Sequence, residues 1–159
     1  DIAVSRGLGD VYKRQQRTYF EHIALAAETG LFDTLAHPDL VKNHDPAAWQ
    51  PDRIRDTIGD CLDRIAATDT AMELNTSGLN KIVPEMNPGP VILAEMYQRH
   101  IPVVVSSDAH NPHRVAADFE TAFDLLSAAG YTHTHIVLNR NRIAIPIAEA
   151  QASLVESGS

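Results

Sequence analysis

Two short polar motifs that follow apolar runs carry the chemistry that this sequence offers. Asp108 and His110 come soon after the apolar run 101–105, and His37 follows the shorter run 32–36. A strand that ends in Asp-x-His places a carboxylate and an imidazole side by side, and these are oxygen and nitrogen ligands for a divalent metal ion. Two strand ends of one sheet can converge. The motifs therefore predict a metal-dependent hydrolase in which all three side chains bind metal and Asp108 and His110 take part in catalysis.

Four further polar residues lie in strands or loops that could reach this site. Glu73 and Asn75 share one face of a predicted strand. They either contribute to the site or form a buried hydrogen-bonded pair, and we prefer the second interpretation for Glu73. Lys81 and Arg114 are loop cations that either hold a phosphate group or are solvated on the surface. As a working hypothesis, Asn75, Lys81 and Arg114 are assigned to substrate binding.

Two histidines and the cysteine have plainer interpretations. His133 and His135 alternate with threonines and therefore share one face of a late strand. The pair could bind metal, but an outward-facing position is the preferred interpretation. Cys61 lies on an amphipathic helix, where a buried packing role is preferred over that of a nucleophile.

Composition narrows the function classes. The chain has 159 residues, enough for one domain with a real core, and its net charge of −8 speaks against nucleic acid and anionic membranes as partners. One cysteine, no apolar run long enough to span a bilayer and no visible signal peptide favour the cytoplasm. Nucleotide folds and serine hydrolases lose support because no Gly-rich phosphate loop or Gly-x-Ser-x-Gly motif is present. The oligomeric state is left open.

Residues 1–15 differ from the rest of the chain. They show no helical or strand period that leads into the next segment, and residues 10–15, Asp-Val-Tyr-Lys-Arg-Gln, match codon by codon the translated end of a transposase-type sequencing adapter. We therefore predict that residues 1–15 are an artefactual leader outside the fold, the alternative being a genuine disordered terminus. Residues 16–159 are then expected to be the C-terminal portion of a single domain.

Apolar periodicity predicts five helices and four strands in regular alternation. The helices are expected over residues 17–28, 52–67, 90–99, 119–129 and 145–154, with Pro146 in the first turn of the last, and the strands over 32–37, 71–75, 101–105 and 131–138. Such alternation implies parallel strands joined by crossover helices. Chemistry at strand C-terminal ends favours a βα barrel over an open sheet, but four strands cannot close one. The long loop 76–90 is a candidate functional loop.

Three stretches resemble the polymerase-and-histidinol-phosphatase (PHP) superfamily and, more narrowly, its histidinol-phosphatase branch. They are residues 30–42 (Gly-Leu-Phe-Asp-Thr-Leu-Ala-His-Pro-Asp-Leu-Val-Lys), 73–79 (Glu-Leu-Asn-Thr-Ser-Gly-Leu) and 107–110 (Ser-Asp-Ala-His), the last followed by Val115 and Phe119. The similarity runs over about residues 18–147. The Asp-x-His motif is shared across the superfamily, whereas the Glu-Leu-Asn-Thr-Ser-Gly run is the mark of the branch.

The resemblance implies an α/β fold, the C-terminal part of a distorted seven-stranded βα (TIM-like) PHP barrel that is incomplete at the N-terminus. It also implies up to three divalent ions (Zn, Mn or Fe), with His37, Asp108 and His110 each on a different ion. The implied reaction is hydrolysis of a small phosphomonoester, L-histidinol phosphate, to L-histidinol and phosphate in histidine biosynthesis. Because the family's other ligands are not among these residues, the full-length parent is expected to be the enzyme and this chain alone to be inactive.

Two other interpretations stay open. Another PHP phosphoesterase would act on a nucleotide or oligonucleotide, although an acidic chain without an aromatic-basic stripe argues mildly against long nucleic acids. A non-catalytic PHP module would have lost its metals and would serve structure or interaction, and the intact Asp108 and His110 count against it. A His-x-His motif upstream of residue 16 would distinguish an enzyme from a module.

Overall fold

The computed structural model describes residues 2–156, with side chains described from residue 11 to residue 154. Helix α1 spans Ile2–Glu28, and its residues Phe20, Ala24 and Ala27 are buried. Residues 2–15 therefore lie in the same helix as the predicted helical segment 17–28, and Asp1 lies outside the described residues. Once a helix is nucleated by packing, each further residue adds a backbone hydrogen bond at little expense. The adapter origin of residues 1–15 stays a prediction.

A three-stranded parallel sheet forms the centre of the fold. Strands β1 (Thr34–Leu35), β2 (Ala71–Asn75) and β3 (Val103–Ser106) lie in the order β1-β2-β3. Helices α2 (Arg55–Ala66) and α3 (Pro90–Gln98) form the crossovers between them. Every residue of β2 is buried, as befits a central strand of a parallel sheet. The predicted parallel α/β arrangement is confirmed for this part of the chain, with β1 shorter than predicted and β3 shifted toward its C-terminal end.

Residues 133–146 form an antiparallel hairpin that sequence analysis did not anticipate. Strands β4 (His133–Leu138) and β5 (Asn141–Pro146) pair along their whole length, and Asn139 and Arg140 join them with φ of 49° and 64°. Positive φ at both central residues is the property of a two-residue type I′ turn. The prediction of parallel strands alone is therefore wrong here, because Asn139-Arg140 lacks the glycine that usually marks this turn. Pro146 ends β5 and is not in the last helix.

Two helices complete the fold next to the hairpin. Helix α4 (Phe119–Ala129) agrees with its predicted bounds, and Gly130 ends it with φ of 108°. A Cβ atom at Gly130 would meet the Tyr97 ring at 2.5 Å, so glycine is needed there for space as well as for conformation. Helix α5 spans Ile147–Glu156.

The hydrophobic core lies between the parallel sheet and the helices that pack on it. Its fully buried side chains come from β2, β3 and all of the first four helices, and they include Phe20, Leu62, Ile65, Met72, Leu74, Leu93, Met96, Val103 and Leu126. Cys61 belongs to this core at 1% exposure, which confirms its predicted packing role. Among the described residues, no helix is long and apolar enough to cross a membrane.

Candidate metal and phosphate site

The C-terminal ends of the three parallel strands bring the predicted motifs to one edge of the sheet. His37 lies two residues after β1, Asn75 ends β2, and Asp108 lies two residues after β3. The register pairs Leu35 with Met72 and Asn75 with Ser106, so the strands end in a staggered row. The expectation that two strand ends converge is met because both motifs follow parallel strands that share β2 as a neighbour.

His37 is held by hydrogen bonds to both sides of its backbone. Its N–H donates to Glu73 Oε2 at 2.8 Å, and its carbonyl oxygen accepts from the Tyr19 hydroxyl. Burial, reinforced by the nearby Asp39 carboxylate, raises the pKa of Tyr19 to about 12, so the phenol keeps the proton that it donates. The φ of His37 is 54°, a left-handed conformation that a residue other than glycine adopts at some strain. The surrounding contacts therefore fix the direction in which the imidazole leaves the chain.

Glu73 and Asn75 form a buried hydrogen-bonded pair, the interpretation preferred for Glu73 from the sequence. Asn75 Nδ2 donates to Glu73 Oε2 at 3.1 Å, and the other carboxylate oxygen, Oε1, accepts from the hydroxyl of Ser106. Glu73 is 8% exposed and Asn75 is fully buried. This carboxylate therefore receives donors from the ends of β1, β2 and β3 and joins the three strands at the site.

The amide of Asn75 has one orientation. Its Oδ1 accepts from the Ser77 backbone N–H at 2.9 Å, which leaves Nδ2 facing Glu73 and, at 3.2 Å, His37 Nδ1. The imidazole nitrogen Nδ1 thus faces the interior and Nε2 faces the open edge. The structure places Asn75 against His37, and its assignment to substrate binding stays a prediction.

Asp108 lies between the two histidines. Its Oδ2 is 4.0 Å from His37 Nε2, and its Oδ1 is 3.5 Å from His110 Nε2. The Ser77 hydroxyl donates to Oδ2 at 3.4 Å. Asp108 has a φ of 46°, which turns the chain so that its carboxylate points back over the strand ends. The imidazole of His110 is 90% exposed and closes no cavity.

The donor types at this edge fit a divalent metal ion, but they do not make a complete coordination sphere. Two ligand atoms that each lie about 2.0–2.2 Å from one ion are at most about 4.3 Å apart. The distances from the Asp108 carboxylate to His37 Nε2 and to His110 Nε2 both lie within this limit and are compatible with metal binding. Among the described residues, however, no group of three or more His, Cys, Asp or Glu side chains is arranged to hold one ion. His37, Asp108 and His110 therefore do not form a complete three-ligand site, and their assignment to different metal ions stays a prediction.

The two predicted phosphate-binding cations lie on the loops that flank this edge. Lys81 follows the 3-10 helix Thr76–Asn80 and is exposed. Arg114 ends the 3-10 helix Pro112–Arg114, and its guanidinium donates to Asp118 Oδ2 at 2.8 Å. The structure brings neither cation into contact with His37, Asp108 or His110, so their role in phosphate binding stays a prediction.

A buried ion pair that was not predicted from the sequence lies beside the site. Lys42 is completely buried, and its ammonium contacts Asp39 Oδ2 at 2.9 Å, the Met86 carbonyl at 2.8 Å and Glu85 Oε1 at 3.2 Å. Gly89 N–H also donates to Asp39 Oδ2. Burial raises the pKa of Asp39, and the Lys42 charge opposes that rise. The pair ties the segment after His37 to the far end of the long loop. Its only sign in the sequence is an Asp and a Lys three residues apart.

The chain is 36% identical over 117 residues to a Deinococcus radiodurans protein assigned as a histidinol-phosphatase. The match covers 74% of this chain and 42% of that protein. The resemblance to the histidinol-phosphatase branch is confirmed. No family model matches the chain.

The fold of the chain is also similar to that of a solved structure. A crystal structure of a Listeria monocytogenes protein assigned as a histidinol phosphatase superposes with a TM-score of 0.60 at 22% sequence identity. The superposed region covers 69% of this chain and 44% of the Listeria monocytogenes chain. At 22% identity, the similarity bears on the fold alone. The chain spans about two-fifths of the length of the curated histidinol-phosphatase relative.

Proposed function

We propose that this chain supplies part of the active site of a phosphatase that hydrolyses L-histidinol phosphate to L-histidinol and phosphate in histidine biosynthesis. The observation that carries the proposal is the placement of Asp108 between His37 and His110 at the strand ends, at 4.0 and 3.5 Å. The 36% identity to a protein assigned as a histidinol-phosphatase supports the choice of reaction. The ligand types favour Zn, Mn or Fe as the divalent ion.

Each of the three side chains would have a separate task in this site. Bound divalent ions would supply Lewis-acid polarisation of the phosphoryl group. His37 presents Nε2 toward Asp108 because its Nδ1 side is occupied by Asn75 and Glu73. Asp108 adds negative charge and a ligand oxygen, and the exposed His110 can approach a ligand from the solvent side.

Lys81 and Arg114 are proposed to attract the phosphate group of the substrate. Lys81 makes no ion pair with any residue that the structure describes, so its charge is free to meet a phosphate. Arg114 is paired with Asp118 on the surface, and a phosphate would have to compete with that carboxylate. We therefore expect Lys81 to contribute more than Arg114 to substrate affinity.

We also propose that the chain by itself does not turn over substrate. The described part of the chain holds only partial ligand sets, and a metal held by few protein ligands binds weakly. Purified with Mn²⁺ or Zn²⁺, the chain should release no phosphate from L-histidinol phosphate above the rate of an Asp108→Asn variant. Metal-dependent turnover by the isolated chain, lost in that variant, would show that this part of the proposal is wrong.

A chimera tests the proposed reaction directly. The 117 matched residues of the Deinococcus radiodurans protein are replaced by those of this chain, and phosphate release is measured with L-histidinol phosphate, a nucleoside monophosphate and a short oligonucleotide. We expect metal-dependent release from L-histidinol phosphate, reduced at least about 100-fold by Asp108→Asn. His113→Ala, an exposed histidine on the neighbouring loop, serves as the control and should have no effect.

The outcomes of this experiment separate the alternatives. Release of phosphate from the nucleotide or the oligonucleotide, and not from L-histidinol phosphate, would indicate a different phosphoesterase. A folded chimera that binds Mn²⁺ but hydrolyses none of the three, while the Deinococcus radiodurans protein hydrolyses L-histidinol phosphate, would contradict the proposed function and favour a non-catalytic module.

A further inference from the structure

A second group of imidazoles lies near the start of strand β3, at the end opposite to Asp108. His133 and His135 lie on one face of β4 and border a cleft of about 410 Å³ that is also lined by His100. Residues two apart on a strand are about 6.6–7 Å apart along the chain, and their side chains point to the same side. Two imidazoles at that spacing can reach one ion at about 2.0–2.1 Å from each ring nitrogen.

The ring of His135 has a defined tautomer. Its Nδ1 lies 3.2 Å from the carbonyl oxygen of Val103, and Thr134 Oγ1 donates to the same oxygen at 3.3 Å. A carbonyl oxygen only accepts, so Nδ1 carries the proton and Nε2 keeps its lone pair. Metal-binding histidines characteristically donate their second ring nitrogen to a carbonyl or carboxylate in this way, which orients the ring before the metal arrives.

The ring of His133 is held in a similar manner. Its Nδ1 is 2.8 Å from the hydroxyl of Thr132, which can accept the proton of that nitrogen. Neither His133 Nε2 nor His135 Nε2 makes a hydrogen bond or an ion pair with any residue in the described part of the chain. His133 is exposed and His135 is half-buried, so solvent reaches the pair.

The charges around the pair permit a cation. Burial lowers the pKa of His135, with Arg142 and His133 as smaller causes, so this ring is neutral near pH 7. Arg142 lies on the same face of the hairpin, since it pairs with Val137 in the strand register. Its guanidinium is bound by Asp69 Oδ1 at 2.6 Å, which offsets the positive charge.

We propose that His133 and His135 form a chelating pair for a transition-metal dication of the Cu²⁺, Ni²⁺ and Zn²⁺ group, separate from the His37–Asp108–His110 edge. Imidazole nitrogen selects these ions over Mn²⁺ and Mg²⁺, which prefer oxygen. No three-ligand group is assembled among the described residues, so the pair is a two-imidazole site. Water would complete the coordination.

Cu²⁺ bound to the whole chain provides the test. The background variant is His37→Asn/His110→Asn, which removes the imidazoles of the other edge. Asparagine suits position 37 because it tolerates positive φ. One equivalent of Cu²⁺ should give an electron paramagnetic resonance spectrum with superhyperfine splitting from two equatorial nitrogens. His133→Ala in this background should leave one nitrogen and weaken Cu²⁺ binding at least about tenfold, because the chelate is lost.

Two controls keep the outcome decisive. His113→Ala removes an exposed imidazole elsewhere and should change neither the spectrum nor the affinity. His135→Asn keeps a side-chain donor for the Val103 carbonyl and should also weaken Cu²⁺ binding about tenfold or more. If His135→Asn unfolds the chain, the exposed His133 decides the test alone. Unchanged Cu²⁺ binding in His133→Ala, or an equal loss in His113→Ala, would overturn the proposal.

Discussion

The carboxylate of Glu73 accepts a hydrogen bond of 2.8 Å from the backbone N–H of His37. This contact joins the middle of β2 to His37, the first of the three proposed metal ligands, and the same carboxylate binds the hydroxyl of Ser106 at the end of β3. One buried carboxylate therefore sets the relative positions of three strand ends. The direction of the His37 side chain depends on this contact, since the left-handed backbone of His37 needs support from its surroundings.

Replacing Glu73 should destabilise the fold and release His37. Glu73→Ala takes the carboxylate acceptor away from the His37 N–H, the Asn75 amide and the Ser106 hydroxyl, and it should lower the free energy of unfolding by about 2–4 kcal/mol. Glu73→Gln keeps one acceptor oxygen in the same volume and should lower it by about 1–2 kcal/mol. Urea titration measures the stability of both Glu73 variants. Glu120→Ala, which changes an exposed glutamate of helix α4, is the control. A Glu73→Ala variant as stable as Glu120→Ala would show that Glu73 does not hold the strand ends.

The buried ammonium of Lys42 supports the segment that follows His37. Lys42→Met should lower the free energy of unfolding by about 3–5 kcal/mol, because it leaves the Asp39 carboxylate buried without its counter-charge. Lys81→Met is the matched control on an exposed lysine and should change stability by less than about 0.5 kcal/mol. Adding Asp39→Asn to Lys42→Met should recover part of the loss. If Lys42→Met and Lys81→Met unfold at the same urea concentration, the claim that Lys42 stabilises the fold through its buried ion pair is wrong.

Cys61 should be unreactive in the folded chain and should make stability depend on alkaline pH. Burial, with the nearby Glu21 carboxylate as a smaller cause, raises the pKa of this thiol from 9.0 to about 11. The folded state therefore holds the proton more tightly than the unfolded state. The resulting stability is complete below pH 9 and is lost as the pH rises to about 11.

Two measurements check the thiol. A disulfide reagent at pH 8 should react with the folded chain at least about 100-fold more slowly than with the chain in urea. The fall in unfolding free energy between pH 8 and pH 10.5 should be smaller in Cys61→Ala than in the wild type, by about 2 kcal/mol. Fast labelling of the folded chain would contradict the claim that the Cys61 thiol is buried. An equal fall in unfolding free energy in the wild type and in Cys61→Ala would contradict it as well.

The bounds of a helix or strand were predicted correctly where the local sequence marks them clearly. Strand β2 and helix α4 have the predicted bounds, because β2 alternates apolar and polar residues and α4 ends at Gly130. The convergence of Asp108 and His37 was predictable from two strand-terminal motifs and the rule that parallel strands end on the same side.

Other features depend on contacts between residues far apart in the chain. The hydrogen bonds of Glu73 join residues 33 and 36 positions away, and their existence depends on strand register, which periodicity does not encode. The burial of Lys42 follows from the closure of the long loop over it, against the usual exposure of lysine. The β4–β5 hairpin was missed because its turn uses Asn and Arg at positive φ.

Site-specific binding of Mn²⁺ tests the central claim that Asp108 and the two histidines beside it form a metal-binding edge. Substoichiometric Mn²⁺ is added to the ¹⁵N-labelled chain, and paramagnetic broadening of each backbone amide signal is recorded, which detects weak binding. Asp108→Asn is compared with Asp118→Asn, since both positions have positive φ and asparagine tolerates it. We predict broadening centred on His37, Ser77 and Asp108, abolished by Asp108→Asn and retained in Asp118→Asn. Broadening confined to other parts of the chain, or unchanged in Asp108→Asn, would contradict the account.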